Sequence, residues 1–206
     1  MVSAPAFAGK RYQKIPRMDA SNTSNGLKLR IVNYSGSTNG GMVVEVRNTS
    51  ATSRTFVADG LFFVPDMHPD KAPQRLGAAG PFEVRDGKRW HHRSSLTMAP
   101  KSTAQLRLQV FCIDSHRASP SSKTRFRLAK KRMPKKLRAS IAHGTKRILR
   151  KAKKKSARAV PSKVQDHVWE TRNKKWIALE GERKTEKSPR KRRPHRRIKR
   201  SMPALF

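Results

Sequence analysis

From Ser119 to Phe206 the chain sets 32 lysines and arginines against five acidic residues. Residues 1–118 carry 17 basic and eight acidic side chains, so three quarters of the net charge of +36 sits in the last 88 residues. A stretch so unbalanced repels itself and resists compaction unless counterions or a polyanion neutralise it. Two constraints follow. The first half has to supply most of the hydrophobic core, and the main partners of the second half have to be polyanions.

From Leu27 to about Asp114 the dominant period is two. Leu27, Leu29 and Ile31 fall on one face, with Lys28 and Arg30 on the other. Met42, Val44 and Val46 alternate with Val43, Glu45 and Arg47, and Leu106, Leu108, Val110 and Cys112 alternate with Gln105, Arg107, Gln109 and Phe111. This is the pattern of half-buried antiparallel strands. Thr55–Val57, Leu61–Pro65, Phe82–Arg85 and Ser94–Met98 are further strand candidates. Turn sequences separate them: Asn39-Gly40-Gly41, Asn48-Thr49-Ser50, Asp59-Gly60, Pro65-Asp66 and Asp86-Gly87. Six or seven short strands at this spacing predict a small antiparallel β-sandwich and a mainly β fold.

After Pro120 the period changes. Pro134 suits the first turn of a helix in which Leu137, Ile141, Ile148 and Leu149 share a stripe, and Gly144 weakens that helix in its middle. Ser162-Lys163-Val164-Gln165 has the form of a capping box, which predicts a second helix starting near Ser162 with Val164 and Val168 on one side. Trp169, Trp176, Ile177 and Leu179 then offer apolar anchors for docking back onto the sandwich. Residues beyond Arg183 show no apolar periodicity and read as disordered. The expected organisation is a flexible segment over 1–26, a β-sandwich over 27–115, a basic helical extension over 116–182, and a disordered polybasic tail over 183–206.

Leu27-Lys28-Leu29-Arg30-Ile31-Val32-Asn33, Val44-Glu45-Val46-Arg47-Asn48 and Asp59-Gly60-Leu61-Phe62-Phe63-Val64-Pro65 together resemble immunoglobulin-like sandwich modules of bacterial envelope and secreted proteins. Phe111-Cys112-Ile113-Asp114, followed by Val164-Gln165 and Val168-Trp169, extends the resemblance over roughly residues 27–180. It implies the sandwich fold and no particular activity. In the tail, Ser188-Pro189-Arg190-Lys191 resembles the Ser-Pro-basic-basic units of linker-histone tails, which lie along the DNA minor groove.

The candidate binding residues are basic clusters. In the first helix and just beyond it these are Lys146, Arg147, Arg150, Lys151, Lys153, Lys154 and Lys155. In the tail they are Arg190, Lys191, Arg192 and Arg193, then Arg196, Arg197, Lys199 and Arg200. Each cation placed beside a phosphate displaces condensed counterions, so nucleic acid is the favoured partner. A charge run is often only a solvated face, but no acid interrupts the stretch from Lys135 to Arg158. An acidic polysaccharide or an anionic lipid surface is the alternative polyanion. Direct base reading is not indicated, because no helix-turn-helix, zinc-finger spacing or aromatic RNA-recognition motif is found. Trp90 within Arg89–Arg93 and Trp176 beside Lys175 sit among cations and could stack bases, although packing in or beside the core is the favoured account of them.

No catalytic, cofactor or metal site is expected. The only cysteine, Cys112, alternates with Leu108 and Val110 and reads as a buried, inert thiol. With His116 it supplies too few ligands for structural zinc, and Asp114 between them does not make a convincing nucleophile pair. Walker A, Gly-x-Ser-x-Gly and His-Glu-x-x-His motifs are missing. Ala6-Phe7-Ala8 has the form of a signal-peptidase site, but Met1–Pro5 lacks the basic and apolar regions a secretory signal needs. The expected setting is intracellular, in a nucleoid or nucleus, unless a signal sequence lies upstream of Met1. A secreted or envelope protein holding an acidic polymer is then the second reading.

Overall fold

The computed structural model describes residues 11–18, 26–36, 41–152 and 159–183, without the side chains of 149, 151–152 and 159–161. Among them are eleven strands and two helices: β1 (Gln13–Lys14), β2 (Leu27–Tyr34), β3 (Gly41–Asn48), β4 (Arg54–Phe56), β5 (Phe62–Pro65), β6 (Leu76–Ala78), β7 (Phe82–Asp86), β8 (Arg89–Arg93), β9 (Leu96–Met98), β10 (Thr103–Cys112), β11 (Phe126–Leu128), α1 (Lys135–Ala152) and α2 (Ala159–Lys174). The fold is mainly β, with every strand pair antiparallel. One sheet runs β1-β2-β3-β10-β6-β5-β11, with the β7–β8 hairpin attached to β10, while β4 and β9 form a separate ribbon.

The long strand β10 organises the sheet. Its residues 103–109 pair with β3, and residues 110–112 continue onto β6. The sheet curls around its apolar face until its ends meet. Tyr34 of β2 packs edge-on against Phe126 of β11, ring centroids 5.3 Å apart, and the Leu128 amide donates to Gln13 Oε1 at 2.9 Å. The sheet is therefore nearly closed, which leaves it little exposed edge.

The expected alternation holds along β2, β3 and β10. Leu27, Leu29, Met42, Val44, Val46, Leu106, Leu108, Val110 and Cys112 all point into one interior. A bulge interrupts β2 between Ile31 and Asn33, so the phase shifts and Tyr34 is buried where strict alternation would bury Asn33. Strands β1, β6, β8 and β11 lie outside the expected set. Residues 11–18, read from the sequence as part of a flexible segment, supply β1 and place Ile15 in the core. Buried Asn48 holds the corner after β3. Its amide group donates to the carbonyls of Thr52 and Ala99, and its Oδ1 accepts from the Ser50 amide and hydroxyl.

A second apolar layer lies on the outside of the sheet. Phe62, Val64, Phe111 and Ile113 face away from the interior and pack against Leu137, Ile141, Val164 and Val168 of the two helices. This is why Leu61–Val64 and Val110–Ile113 are continuous apolar runs, since these segments are covered on both faces. Gly144, expected to weaken α1, lies where α2 packs close against it. A Cβ there would stand 1.9 Å from His167 Nε2. Helix α2 starts at Ala159, earlier than the capping-box sequence suggested. Gln165 does not serve that cap. Its side chain accepts from the Cys112 amide at 3.0 Å and donates to the Cys112 carbonyl at 2.7 Å, clipping α2 to β10.

Candidate polyanion interface

The helical side of the molecule carries one run of exposed cations. Lys130 and Lys131 precede α1, Lys135 and Lys136 open it, and Lys146, Arg147 and Arg150 lie further along it, all of them exposed. None of these seven has an ion-pair partner among the described residues. The helix folds this way because Leu137 and Ile141 bury one stripe, and Ile148 packs partly against the same cluster. The remaining faces carry the cations. Lys146, Arg147 and Arg150 with His143 surround a shallow depression of about 220 Å³. Lys151 lies within α1, but its side chain is outside the described set, as are Lys153, Lys154, Lys155 and the tail residues Arg190, Lys191, Arg192, Arg193, Arg196, Arg197, Lys199 and Arg200.

A larger basic cleft, not anticipated from the sequence, opens at the start of α1. It has a volume of about 450 Å³ and is lined by Arg17, Lys130, Lys131, Arg132, Lys135 and Arg138, with Pro16, Met18 and Met133 as apolar wall. Arg132 builds it. Its Nε donates to the Pro16 carbonyl at 2.9 Å and Nη2 to Val57 at 3.0 Å, while Nη1 donates to Asp59. One guanidinium thus ties residues 16–18 and the loop before β5 to the helix entrance. Lys130-Lys131-Arg132 just ahead of a helix-starting proline was the available clue. The opposite wall, Arg17, comes from the distant amino-terminal segment and left no local trace.

The tryptophans sit under the protein's own cations. Arg107 lies 4.2 Å from the Trp90 ring centroid, and Arg172 lies 4.1 Å from that of Trp176. One face of each ring is already occupied. Trp169 packs partly against the interior core and donates to Gln74 Oε1 at 3.2 Å.

A third group of charges is buried. Arg75, just before β6, is fully enclosed and grips Asp114 with two bonds, Nε to Oδ2 at 2.7 Å and Nη2 to Oδ1 at 2.5 Å. Its remaining Nη1 donates to the carbonyls of Leu179 and Glu180 and to Glu182 Oε2 at 3.0 Å. Glu182 also faces buried Arg172 at 3.4 Å. Arg117 donates to the Gly181 carbonyl, and Arg183 to the carbonyls of Pro69 and Ala72. Residues 179–183 therefore cross the sheet as a strap held by arginines. Burial alone would raise the Asp114 carboxyl, but hydrogen bonds and charge from Arg75, with Arg117 behind, hold it below the ordinary carboxylate range. The same arrangement pushes the Arg75 guanidinium up, against the effect of its burial.

Cys112 is buried, facing the interior beside Val110, and its thiol is pushed up to about 12 by burial and by the Asp114 charge. His116 is exposed and sits against Trp176, with ring centroids 5.9 Å apart. No group of three or more potential metal ligands occurs among the described residues, and no described helix is long and apolar enough to cross a membrane. No family model matches this chain, and no curated protein matches it.

Proposed function

We propose that this protein is a non-enzymatic binder, and compactor, of nucleic acid, engaging DNA or RNA through phosphate contacts with little dependence on sequence. The observation that carries the reading is the set of seven exposed cations, Lys130, Lys131, Lys135, Lys136, Lys146, Arg147 and Arg150, without ion pairs among the described residues, in a stretch with no Asp or Glu from 130 to 158. A solvated face normally intersperses both signs, and here the neutralising charge has to come from outside the chain. The tail clusters extend the same chemistry, in the manner of linker-histone tails. In this reading the nearly closed sheet is the rigid body that positions the cationic helix. Its finer description as an immunoglobulin-like sandwich belongs to the same proposal, supported by β2 and β3 sharing one interior with β5, β6 and β11.

The test is salt-dependent binding to a duplex oligonucleotide. Engaging a quarter of the 32 basic residues after Ala118 predicts log affinity falling with log salt at a slope of about −7. A slope near −1, or equal retention of a neutral polymer, would remove the polyelectrolyte account. Copurifying material treated separately with DNase, RNase and polysaccharide lyases distinguishes nucleic acid from an acidic polysaccharide.

A further inference from the structure

We propose that the free edge of β8 is a docking site for an extended acidic segment of a partner protein, which adds to the sheet as a further strand. Of the strands with a single partner among the described residues β8 is the longest, five residues against two or three in β1, β4, β9 and β11. The register of the β7–β8 hairpin fixes which of its backbone groups are free. Gly87 and Lys88 form a two-residue turn with Gly87 at φ +55° and no positive φ at Lys88, the pattern of a type II′ hairpin. The pair that closes such a turn, here Asp86 and Arg89, exchanges both backbone hydrogen bonds, and bonded pairs then alternate with unbonded ones. Val84–His91 and Phe82–Arg93 are therefore bonded pairs, whereas Trp90 and His92 turn their N–H and C=O groups away from β7. Neither residue finds another backbone partner among the described residues.

An open ladder of this kind takes a strand, and the flanking side chains choose which one. Arg89, His91 and Arg93 point to one face of the ribbon and Trp90 and His92 to the other. Lys88, Arg89, His91 and Arg93 are exposed and have no ion pair or side-chain hydrogen bond among the described residues. The nearby carboxylates lie on β7, where Glu83 is held by Arg107 at 3.0 Å and faces His92 at 3.6 Å, and Asp86 sits at the turn. Charge then decides among occupants. A second copy of this chain is disfavoured, because its Arg89 and Arg93 would meet their own counterparts, which is how charged edge strands guard against self-pairing. The segments of this chain outside the described residues hold only two carboxylates, Asp19 and Glu186. A foreign strand with Asp or Glu at alternate positions sets carboxylates beside Arg89 and Arg93 and an apolar side chain beside Trp90. A nucleic acid answers the cations but brings no repeating N–H donors for the edge carbonyls. The site does not use α1, and it goes beyond the nucleic-acid reading without resting on it.

The experiment titrates the full chain with a short capped peptide of alternating glutamate and valine, and separately with the same peptide carrying a methyl group on every backbone nitrogen. Methylation keeps the carboxylates and removes the donors, so the plain peptide should bind about tenfold more tightly and slow hydrogen exchange at the Trp90 and His92 amides. His92→Pro removes an outward N–H while leaving the β7 pairing intact, since an edge strand accepts proline where its N–H faces solvent. It should weaken the plain peptide about tenfold, and Arg89→Gln with Arg93→Gln about fivefold, whereas Lys146→Ala with Arg150→Ala leaves it within about twofold. If His92→Pro unfolds, the methylated peptide and the arginine pair decide. The proposal is overturned if the plain peptide does not saturate, if both peptides bind equally, or if protection appears on α1 in place of β8. It is overturned equally if a duplex oligonucleotide protects the Trp90 and His92 amides where the peptide does not, because the ribbon then belongs to nucleic-acid binding. The salt slope for the oligonucleotide is a separate measurement, so loss of the β8 site leaves the broader function standing, and the reverse.

Discussion

The sheet pairs several of its arginines, whereas the helix entrance pairs none of its exposed cations among the described residues. Around the sheet, four arginines are matched: Arg30 meets Glu45 at 2.9 Å, Arg107 meets Glu83 at 3.0 Å, Arg127 meets Glu180, and Arg75 grips Asp114 in the interior, while Lys28, Lys88, Arg89, Arg93 and Lys101 are exposed with no ion pair among the described residues. Along α1 and the residues before it, no exposed cation has a carboxylate partner among the described residues. Residues 27–115 hold 12 basic and seven acidic side chains, whereas residues 130–158 hold 14 basic and none acidic. The difference separates two uses of one chemistry. Paired cations hold the chain together, and unpaired ones are left to meet something else.

The sharpest way to break the comparison is to unpair a matched cation. Asp114→Ala leaves the buried Arg75 charge with Glu182 as its remaining carboxylate and its Nε and Nη2 without an acceptor, and should cost about 3 kcal/mol in urea unfolding. Because the folded Asp114 carboxyl is depressed, its contribution is present above the unfolded value near 4 and is lost as pH falls through the folded value. Asp114→Asn should therefore show a shallower loss of stability on acidification than the parent. Equal acid profiles would mean that the buried pair contributes no linkage.

Helix contact comes next. Gly144→Ala should improve intrinsic helicity by about 1 kcal/mol, yet the new methyl group collides with the His167 ring, and overpacking costs about 1–3 kcal/mol. A net loss of stability is expected, and a net gain would show that α2 sits more loosely on α1 than its side chains indicate. Cys112→Ala should cost on the order of 1 kcal/mol, and the native thiol should react with an alkylating reagent only after unfolding. With the folded thiol raised to about 12, its contribution is full below the unfolded value of 9 and declines as pH rises through the interval between them. The parent should lose its advantage over the alanine variant across that window.

The smallest stability effect belongs to the unpaired side. Changing Lys146, Arg147 and Arg150 together to Gln should leave stability within about 0.5 kcal/mol. If all three touch phosphates, the same variant should flatten the salt slope for duplex DNA by about 2.7. A stability change as large as that of Asp114→Ala would erase the distinction between the two regions.

The alternating strands were legible because a half-buried strand writes its two faces into neighbouring residues. Leu27–Ile31, Met42–Val46 and Leu106–Cys112 needed only local pattern. The apolar stripe of α1 was legible for the same reason, at a period near four. Short strands such as Leu76–Ala78 and Phe126–Leu128 were not, because three residues carry no measurable period and form only through partners remote in the chain. Arg75 reads as a surface residue until Asp114, 39 positions later, and Glu182, 107 positions later, converge on it. Of the candidate site, the helical cations were visible as composition. The cleft was not, since Arg17 and the residues from Lys130 to Arg138 that line it are more than a hundred positions apart in the chain.

The strap has a mechanical consequence. The chain leaves the described structure just after Arg183, and the cation clusters of Arg190–Arg200 follow within a few residues. If a polymer held those clusters, as proposed above, its tension would reach the described structure at the Arg183 bonds with Pro69 and Ala72, then pass through Glu182 and the carbonyls of residues 179–181 to Arg75 and Arg117. From Arg75 the load passes to Asp114 and so into β10, the strand that both halves of the sheet share. The pull is spread over several hydrogen bonds that must yield together before the sheet is peeled. The arginine-held strap therefore works as a strain relief, as a clamp does where a cable enters its housing.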